Sequence, residues 1–392
     1  MLTSLLSKFD QYFSKCPDHE VKTLMALTLG IFRSQTPNLW KVKDQLGPIL
    51  ENQQTTRPES NYRRLTRFFC LDDEVKQAFI NGLLFLGLSI LRNPGGKRSI
   101  RYLTMDGTSW EFGQKKVHLL TLSIVYQGVS LPIWWLELDK KGISSVEERK
   151  QLIQEALQRY DLSGLILLAD REYIGPEWFE FLTQVGLEFI IRLKSNIYHE
   201  QINHSRTESD SPFQSLRFSA LKRKAAKARY RNTGVAKTIT LEGNTYLFVV
   251  FKNPKPDAEE PFLFFLSTLN KAKKVVKAYP IRWSIECCFK HLKTNGFRLE
   301  EINLEDSNKI RLMMAILVFL YILALDRGWA DFNPKAKASF KRYADGKQAM
   351  AISIFRRGIP QLVNLFTSFL KFLDFIAKAI ALYQIPRWCH VQ

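Results

Sequence analysis

Three short stretches of the chain carry side chains able to do chemistry together. The longest runs from Tyr279 to Lys293 and holds Tyr279, Arg282, Glu286 and Lys293. Pro280 suits the first turn of a helix, where its missing N–H costs nothing. At about 100° per residue, Arg282, Glu286 and Lys293 fall within roughly 40° of one another around a helix axis, with Tyr279 at its mouth. Ile281, Ile285, Cys288 and Leu292 form an apolar stripe beside them. The spacing therefore predicts one amphipathic helix that offers a carboxylate flanked by two cations and a phenol. The carboxylate suits a metal ion and the cations suit phosphate. An ordinary salt-bridged surface helix would show the same face, since such i,i+4 pairs are common.

The other two stretches hold one aspartate each. Asp106 closes a strand-like run from Ile100 to Met105, and Gly107 beside it leaves room for a backbone or a phosphate. Asp170 follows Leu165-Ile166-Leu167-Leu168-Ala169, an apolar run typical of a strand buried on both faces. If the two strands are neighbours, Asp106 and Asp170 project from the same sheet edge, and Glu286 comes from a helix packed there. Three carboxylates without Cys or His suit Mg²⁺ or Mn²⁺. Two such ions about 3.5–4 Å apart can activate an attacking oxygen and stabilise a leaving one in phosphodiester displacement.

The elements that must position these groups follow from patterning. Residues 1–92 read as helices, with Arg63, Arg64 and Arg67 on one of them. That region is either a helix-turn-helix-like DNA reader or a helical cap. Asn93-Pro94-Gly95-Gly96-Lys97 reads as a linker. Strands follow at 100–105, 116–126 and 129–138, the last two joined by Gln127-Gly128. A helix over 145–160 comes next, capped by Ser145, then the strand ending before Asp170, a helix over 176–184 and a strand over 189–193. This order implies an α/β mixed sheet of the ribonuclease-H-like kind. Residues 194–270 read as a β-rich insertion. It opens with a polar loop and a basic run holding Lys222, Arg223, Lys224, Lys227 and Arg229, and strands follow at 238–241, 246–251 and 262–267. Residues 271–305 return to the core with the Glu286 helix, and 306–392 read as helical.

Composition narrows the partner. Lys and Arg exceed Asp and Glu by 19 in 392 residues, so a polyanion is expected, nucleic acid first and an anionic membrane second. The longest nearly apolar run, Leu312 to Leu325, is shorter than the ~20 residues that span a bilayer, which favours a buried helix. No signal peptide is evident at the N-terminus. The five cysteines (Cys16, Cys70, Cys287, Cys288, Cys389) show no paired spacing and read as free thiols in a reducing compartment.

With these residues in hand, the chain resembles the bacterial insertion-sequence DDE transposases marked by a Tyr-x2-Arg-x3-Glu-x6-Lys signature. Tyr279, Arg282, Glu286 and Lys293 match that spacing, and Asp106-Gly-Thr and Asp170-Arg-Glu-Tyr resemble the family's first and second catalytic motifs. The resemblance implies Mg²⁺-dependent (or Mn²⁺-dependent) hydrolysis at element ends, followed by joining to target DNA. Excision through a DNA hairpin is one form of this chemistry. Asp106, Asp170 and Glu286 would be the catalytic metal ligands, and Tyr279, Arg282 and Lys293 would hold DNA phosphates. A homodimer on double-stranded DNA, in the bacterial cytoplasm at the nucleoid and not in a membrane, is implied as well. A metal-dependent nuclease of the same fold and a non-catalytic DNA-binding derivative are the alternatives. Some relatives receive a flipped base on a Trp of the insertion. Here no Trp lies between Trp178 and Trp283, which leaves Tyr198, Tyr230 or Tyr246, or a different excision step.

Overall fold

The computed structural model describes residues 2–50, 57–91, 100–113, 115–138, 140, 142–194, 218–241, 243–255, 258–336, 339–342, 348–382 and 389. The linker expected at 93–97, the loop around 199–212 and Tyr198 lie outside them. The chain divides into two compact units. One comprises Arg98–Thr108 and His118–Cys288, the other Met1–Lys97, Ser109–Val117 and Phe289–Val391.

The first unit is built on an eight-stranded sheet. Its strands are β1 (Tyr102–Phe112), β2 (Lys115–Tyr126), β3 (Val129–Glu137), β4 (Ile166–Ala169), β5 (Glu188–Leu193), β6 (Val235–Leu241), β7 (Asn244–Lys252) and β8 (Phe262–Ser267), in the order β3-β2-β1-β4-β5-β8-β7-β6. β4 is parallel to both β1 and β5, and β3 is antiparallel to β2. The first five strands thus have the order and directions of a ribonuclease-H-like core. β4 is four residues long and wholly buried, as a central strand covered on both faces must be. The β2–β3 turn is Gln127-Gly128, both with positive φ (48° and 81°), the backbone that a two-residue hairpin with matching twist requires.

Helices make the crossovers. Val146–Leu157 carries the chain from β3 to β4 and Pro176–Gln184 from β4 to β5. Ser145 caps the first of these reciprocally. Its hydroxyl accepts from the Glu148 N–H (3.2 Å) while its own N–H donates to the Glu148 carboxylate (2.6 Å). This satisfies two of the donors that a helix start leaves open.

One expectation is corrected here. β1 does not end before Asp106 but runs on to Phe112, with Asp106 and Gly107 in mid-strand. Asp-Gly reads locally as a turn, yet the backbone stays extended because Gly107 fits against His118. A Cβ at residue 107 would lie 2.7 Å from His118 Nε2. The insertion is β-rich, as expected, and its strands join the core sheet. β8 pairs antiparallel with β5 (Ile190 opposite Ser267, Leu193 opposite Phe264), and β7 and β6 follow, so the insertion's strands extend the core sheet. Phe265, Val249, Ile190 and Leu168 then share one apolar cluster.

The second unit is largely helical. Helices Asp18–Ser34, Leu39–Leu50, Pro58–Phe69 and Asp73–Ile90 lie on its N-terminal side. Helices Ser307–Asp331, Ile354–Leu365 and Phe369–Leu382 lie on its C-terminal side, where a two-stranded hairpin (Phe340–Arg342 with Gln348–Met350) interrupts the expected helical run. Ser307–Asp331 outlasts its apolar run and is long and apolar enough to cross a membrane, but its residues from Leu312 to Asp326 are all buried in the protein. It crosses Ile354–Leu365 with no room for side chains between the backbones. A Cβ on Gly358 would stand 1.7 Å from the Ala324 carbonyl oxygen, and one on Gly328 would stand 1.9 Å from that of Ile354.

Candidate active site

The register of the parallel pair sets the site. Thr104 on β1 lies opposite Leu168 on β4, and two residues further along each chain come Asp106 and Asp170. β4 stops at Ala169, so both aspartates stand at the same sheet edge. Each holds its carboxylate by bonding to its own successor. Asp106 Oδ1 accepts from the Gly107 N–H (2.9 Å) and Asp170 Oδ1 from the Arg171 N–H (2.7 Å).

The third carboxylate arrives differently from expectation. Tyr279 to Lys293 is not one helix. Tyr279–Trp283 is a 3₁₀ turn with Pro280 in its first positions, the α-helix is Ser284–Leu292, and Lys293 follows its end. Proline's missing donor and the tighter 3₁₀ winding explain why the 100° wheel fails across the junction. Arg282 and Glu286 still meet, because they straddle the junction four residues apart. The apolar stripe holds: Ile285, Cys288 and Leu292 are fully buried.

One guanidinium gathers all three carboxylates. Arg282 Nη1 lies 3.3 Å from Asp106 Oδ2, and Nη2 lies 3.7 Å from Asp170 Oδ2 and donates to Glu286 Oε1. The arginine is 8% exposed. The Tyr279 hydroxyl donates to Asp170 Oδ1 (3.2 Å), and its ring packs on Phe265 at 4.7 Å. A hydroxyl chain fixes the frame: Thr104 Oγ1 to Ser130 Oγ (2.9 Å), then Ser130 Oγ to Ser284 Oγ (2.6 Å). It links the strand of Asp106 to the helix of Glu286 through β3.

Electrostatics follow from burial and from these neighbours. Burial pushes the Asp106 carboxyl up to about 7, against the pull of Arg282 and the Gly107 N–H, and Glu172 and Glu286 push the same way as burial. Tyr279 is raised, chiefly by burial and then by the Asp170 charge. The Arg282 guanidinium is held more firmly protonated than usual, because the phenol and carboxylates around it outweigh its burial. Among the described residues no three His, Cys, Asp or Glu side chains are drawn tightly enough to hold one ion as they stand. The donor set is nonetheless all oxygen, which suits hard cations, and a positive group already stands among the three carboxylates.

The remaining expected residues lie elsewhere. Lys293 belongs to the helical unit, where Nζ donates to the Ser109 carbonyl (2.6 Å) and faces Glu300 at 3.3 Å. Lys222, Arg223 and Lys224 sit on the helix Phe218–Ala225, and Lys227 and Arg229 follow it. All but the half-buried Lys222 are exposed. Lys224 and Arg229 flank the Tyr230 ring at 5.6 and 4.8 Å. Tyr246 is no candidate for an extruded base: it is 3% exposed and packed on Phe179 and Phe189.

Sequence reasoning missed three features. Arg192 on β5 places Nη1 3.9 Å from Asp170 Oδ1 while Nη2 binds Glu260, which also holds Arg171 at 3.0 Å. A lone cation in an apolar strand was the available signal. Trp283 is 61% exposed directly after Arg282. The Ser130 and Ser284 hydroxyls gave no signal, since serine is common everywhere.

A family model described as a transposase DDE domain matches residues 97–323, more than half of the chain and a span that contains every residue of the site. No curated protein matches the chain. Among solved structures it is similar to piggyBac transposase in a synaptic complex with hairpin DNA, seen by cryo-electron microscopy. That match has 12% identity and a TM-score of 0.42 over 96% of this chain and 82% of that one.

Proposed function

The chain belongs to the DDE-domain transposases, and from that premise we propose that it cuts the ends of an insertion sequence and joins them to target DNA, with Asp106, Asp170 and Glu286 as its catalytic carboxylates. The observation that carries the reading is their convergence on one cation from two neighbouring parallel strands and a helix. These three residues would hold two Mg²⁺ or Mn²⁺ ions, which when bound supply an activated attacking oxygen and a stabilised leaving oxygen. Mg²⁺ is commonly held by one or two carboxylates, with waters and substrate phosphates completing its shell, so a loose triad is compatible with that role.

The protein's own groups then have distinct tasks. Asp106 must ligate as carboxylate. The Gly107 N–H and Arg282 favour that form, although burial opposes it. Arg282 offers a planar fork that matches a phosphate's geometry, and Tyr279 a hydroxyl beside it. Trp283 presents an exposed ring at the site on which an unpaired base can stack. The run of Lys222, Arg223, Lys224, Lys227 and Arg229 contacts phosphates further along the duplex, and Lys293 supplies one more cation for phosphate, in keeping with the net charge of +19. Bringing two element ends together calls for two copies of the chain on DNA.

The test is cleavage and strand joining with labelled element ends, taken from inverted repeats flanking the coding region, in Mg²⁺. Asp106→Ala, Asp170→Ala and Glu286→Ala should each abolish cleavage and leave DNA affinity measured without metal nearly intact, because phosphate contacts supply most of it. Near wild-type cleavage by any one of the three removes that residue from the triad.

A further inference from the structure

Each aspartate of the site has an inner and an outer oxygen. The outer ones, Asp106 Oδ1 and Asp170 Oδ1, are occupied by backbone N–H groups, and Asp170 Oδ1 also by the Tyr279 hydroxyl. The inner ones, both Oδ2, face Arg282, and so does Glu286 Oε1. A divalent ion entering the triad needs those inner oxygens, at about 2.0–2.1 Å for Mg²⁺. A guanidinium hydrogen-bonded to Asp106 Oδ2 and Glu286 Oε1, and 3.7 Å from Asp170 Oδ2, crowds that space, and its charge repels the newcomer. The two occupants exclude each other.

We propose that Arg282 is a latch that holds the three carboxylates closed to metal in the free protein, and that a DNA phosphate draws it off, so that metal and DNA load cooperatively. The inference rests on the triad reading above. Three features of the chain favour a latch over a fixed structural ion pair. Arg282 lies in the 3₁₀ turn and Glu286 in the α-helix, so the junction between them offers a hinge. The residue beside it, Trp283, opens to solvent. Finally, a phosphate replaces the carboxylates as a bidentate acceptor for the same fork, so Arg282 remains paired when it leaves them. Coupling between two ligands is reciprocal: if DNA tightens metal binding, metal tightens DNA binding by the same factor. Metal loading in the absence of DNA is thereby suppressed.

The experiment is a Mn²⁺ titration of the full chain, reading free Mn²⁺ by electron paramagnetic resonance, with no turnover involved. Wild type should bind weakly. Arg282→Ala should bind at least about tenfold tighter, within the range of ordinary coupling energies. Arg282→Gln, which keeps a neutral donor among the carboxylates, serves the same purpose should the alanine variant fold poorly. A short duplex of unrelated sequence should tighten Mn²⁺ binding in wild type and leave the Arg282 variants unmoved. If both variants bind Mn²⁺ no tighter than wild type while Asp106→Asn abolishes binding, the latch is wrong and the triad stands. If Asp106→Asn added to Arg282→Gln leaves binding unchanged, the triad itself is wrong. Equal tightening by DNA in wild type and variants refutes the role given to phosphate.

Discussion

Ser130→Ala tests the frame that holds the site together. Ser130 is fully buried on β3, and its hydroxyl is the middle link between Thr104 and Ser284. Thr104 is two residues before Asp106, and Ser284 two before Glu286. Removing one oxygen breaks two hydrogen bonds, each with a net contribution of about 0.5–1.5 kcal/mol, and leaves the buried Thr104 hydroxyl without its partner. The expected destabilisation is therefore about 2–3 kcal/mol. Ser284→Ala breaks one bond at a half-buried position and should cost about 1 kcal/mol. Because the two serines share a bond, the double variant should fall short of the sum by about 1 kcal/mol. Urea unfolding midpoints at unchanged slope measure all three. Activity is expected to fall further than stability accounts for: the tether aligns Glu286 with Asp106, and a misplacement of about 1 Å at a reacting centre can cost about 10²-fold. A Ser130→Ala protein within about 0.5 kcal/mol of wild type, or strict additivity with Ser284→Ala, would refute the reasoning.

Two further outcomes are expected. Neutralising Lys224, Lys227 and Arg229 should flatten the slope of log affinity against log salt by about 0.9 for each duplex phosphate that is no longer neutralised, and an unchanged slope returns the run to an ordinary solvated surface. His291 stacks on Phe355 at 4.8 Å, and burial, with Arg356 and Lys290 nearby, lowers it from 6.5 to about 4. The folded state holds it neutral while the unfolded chain takes up a proton below 6.5. Stability from this group is therefore complete above pH 6.5 and lost as pH falls toward 4, by about 2 kcal/mol after allowance for its partial exposure. His291→Phe should flatten the acid limb of the stability profile in that window, and an unaltered limb would show that His291 does not titrate this way.

That Asp106, Asp170 and Glu286 converge was legible in the sequence, because the apolar run before Asp170 announced a buried strand and Glu286 fell beside an apolar helical stripe. The β2–β3 turn and the Ser145 cap were legible for a similar reason, since each depends on a few adjacent residues. Features set by distant partners were not. β1 passes through Asp106-Gly107 because His118 lies against it from another strand, which no local window shows. That β8 would pair with β5 and merge the insertion into the core sheet depends on an open strand edge some 75 residues away in sequence. The break at Trp283 was hidden because the Arg282–Glu286 spacing survives a change from 3₁₀ to α winding. Tyr246 looked like any exposed aromatic until Phe179 and Phe189 closed over it.

The crossing at Gly328 and Gly358 bears on how this protein is handled. The helix Ser307–Asp331 has the length and hydropathy of a membrane span, and its concealment depends in part on the helix Ile354–Leu365 seated directly against its backbone. A chain cut between residues 331 and 354 would retain the first helix and lose this part of its cover. Such a fragment, whether from proteolysis, a premature stop or a shortened expression clone, would expose the apolar face that Ile354–Leu365 covers, while the helix Asp73–Ile90 still packs on another, where Gly87 meets Ile322 and Phe319. The truncated product belongs in the aggregate fraction of a lysate, and any boundary chosen for dissecting this transposase has to keep the two helices together.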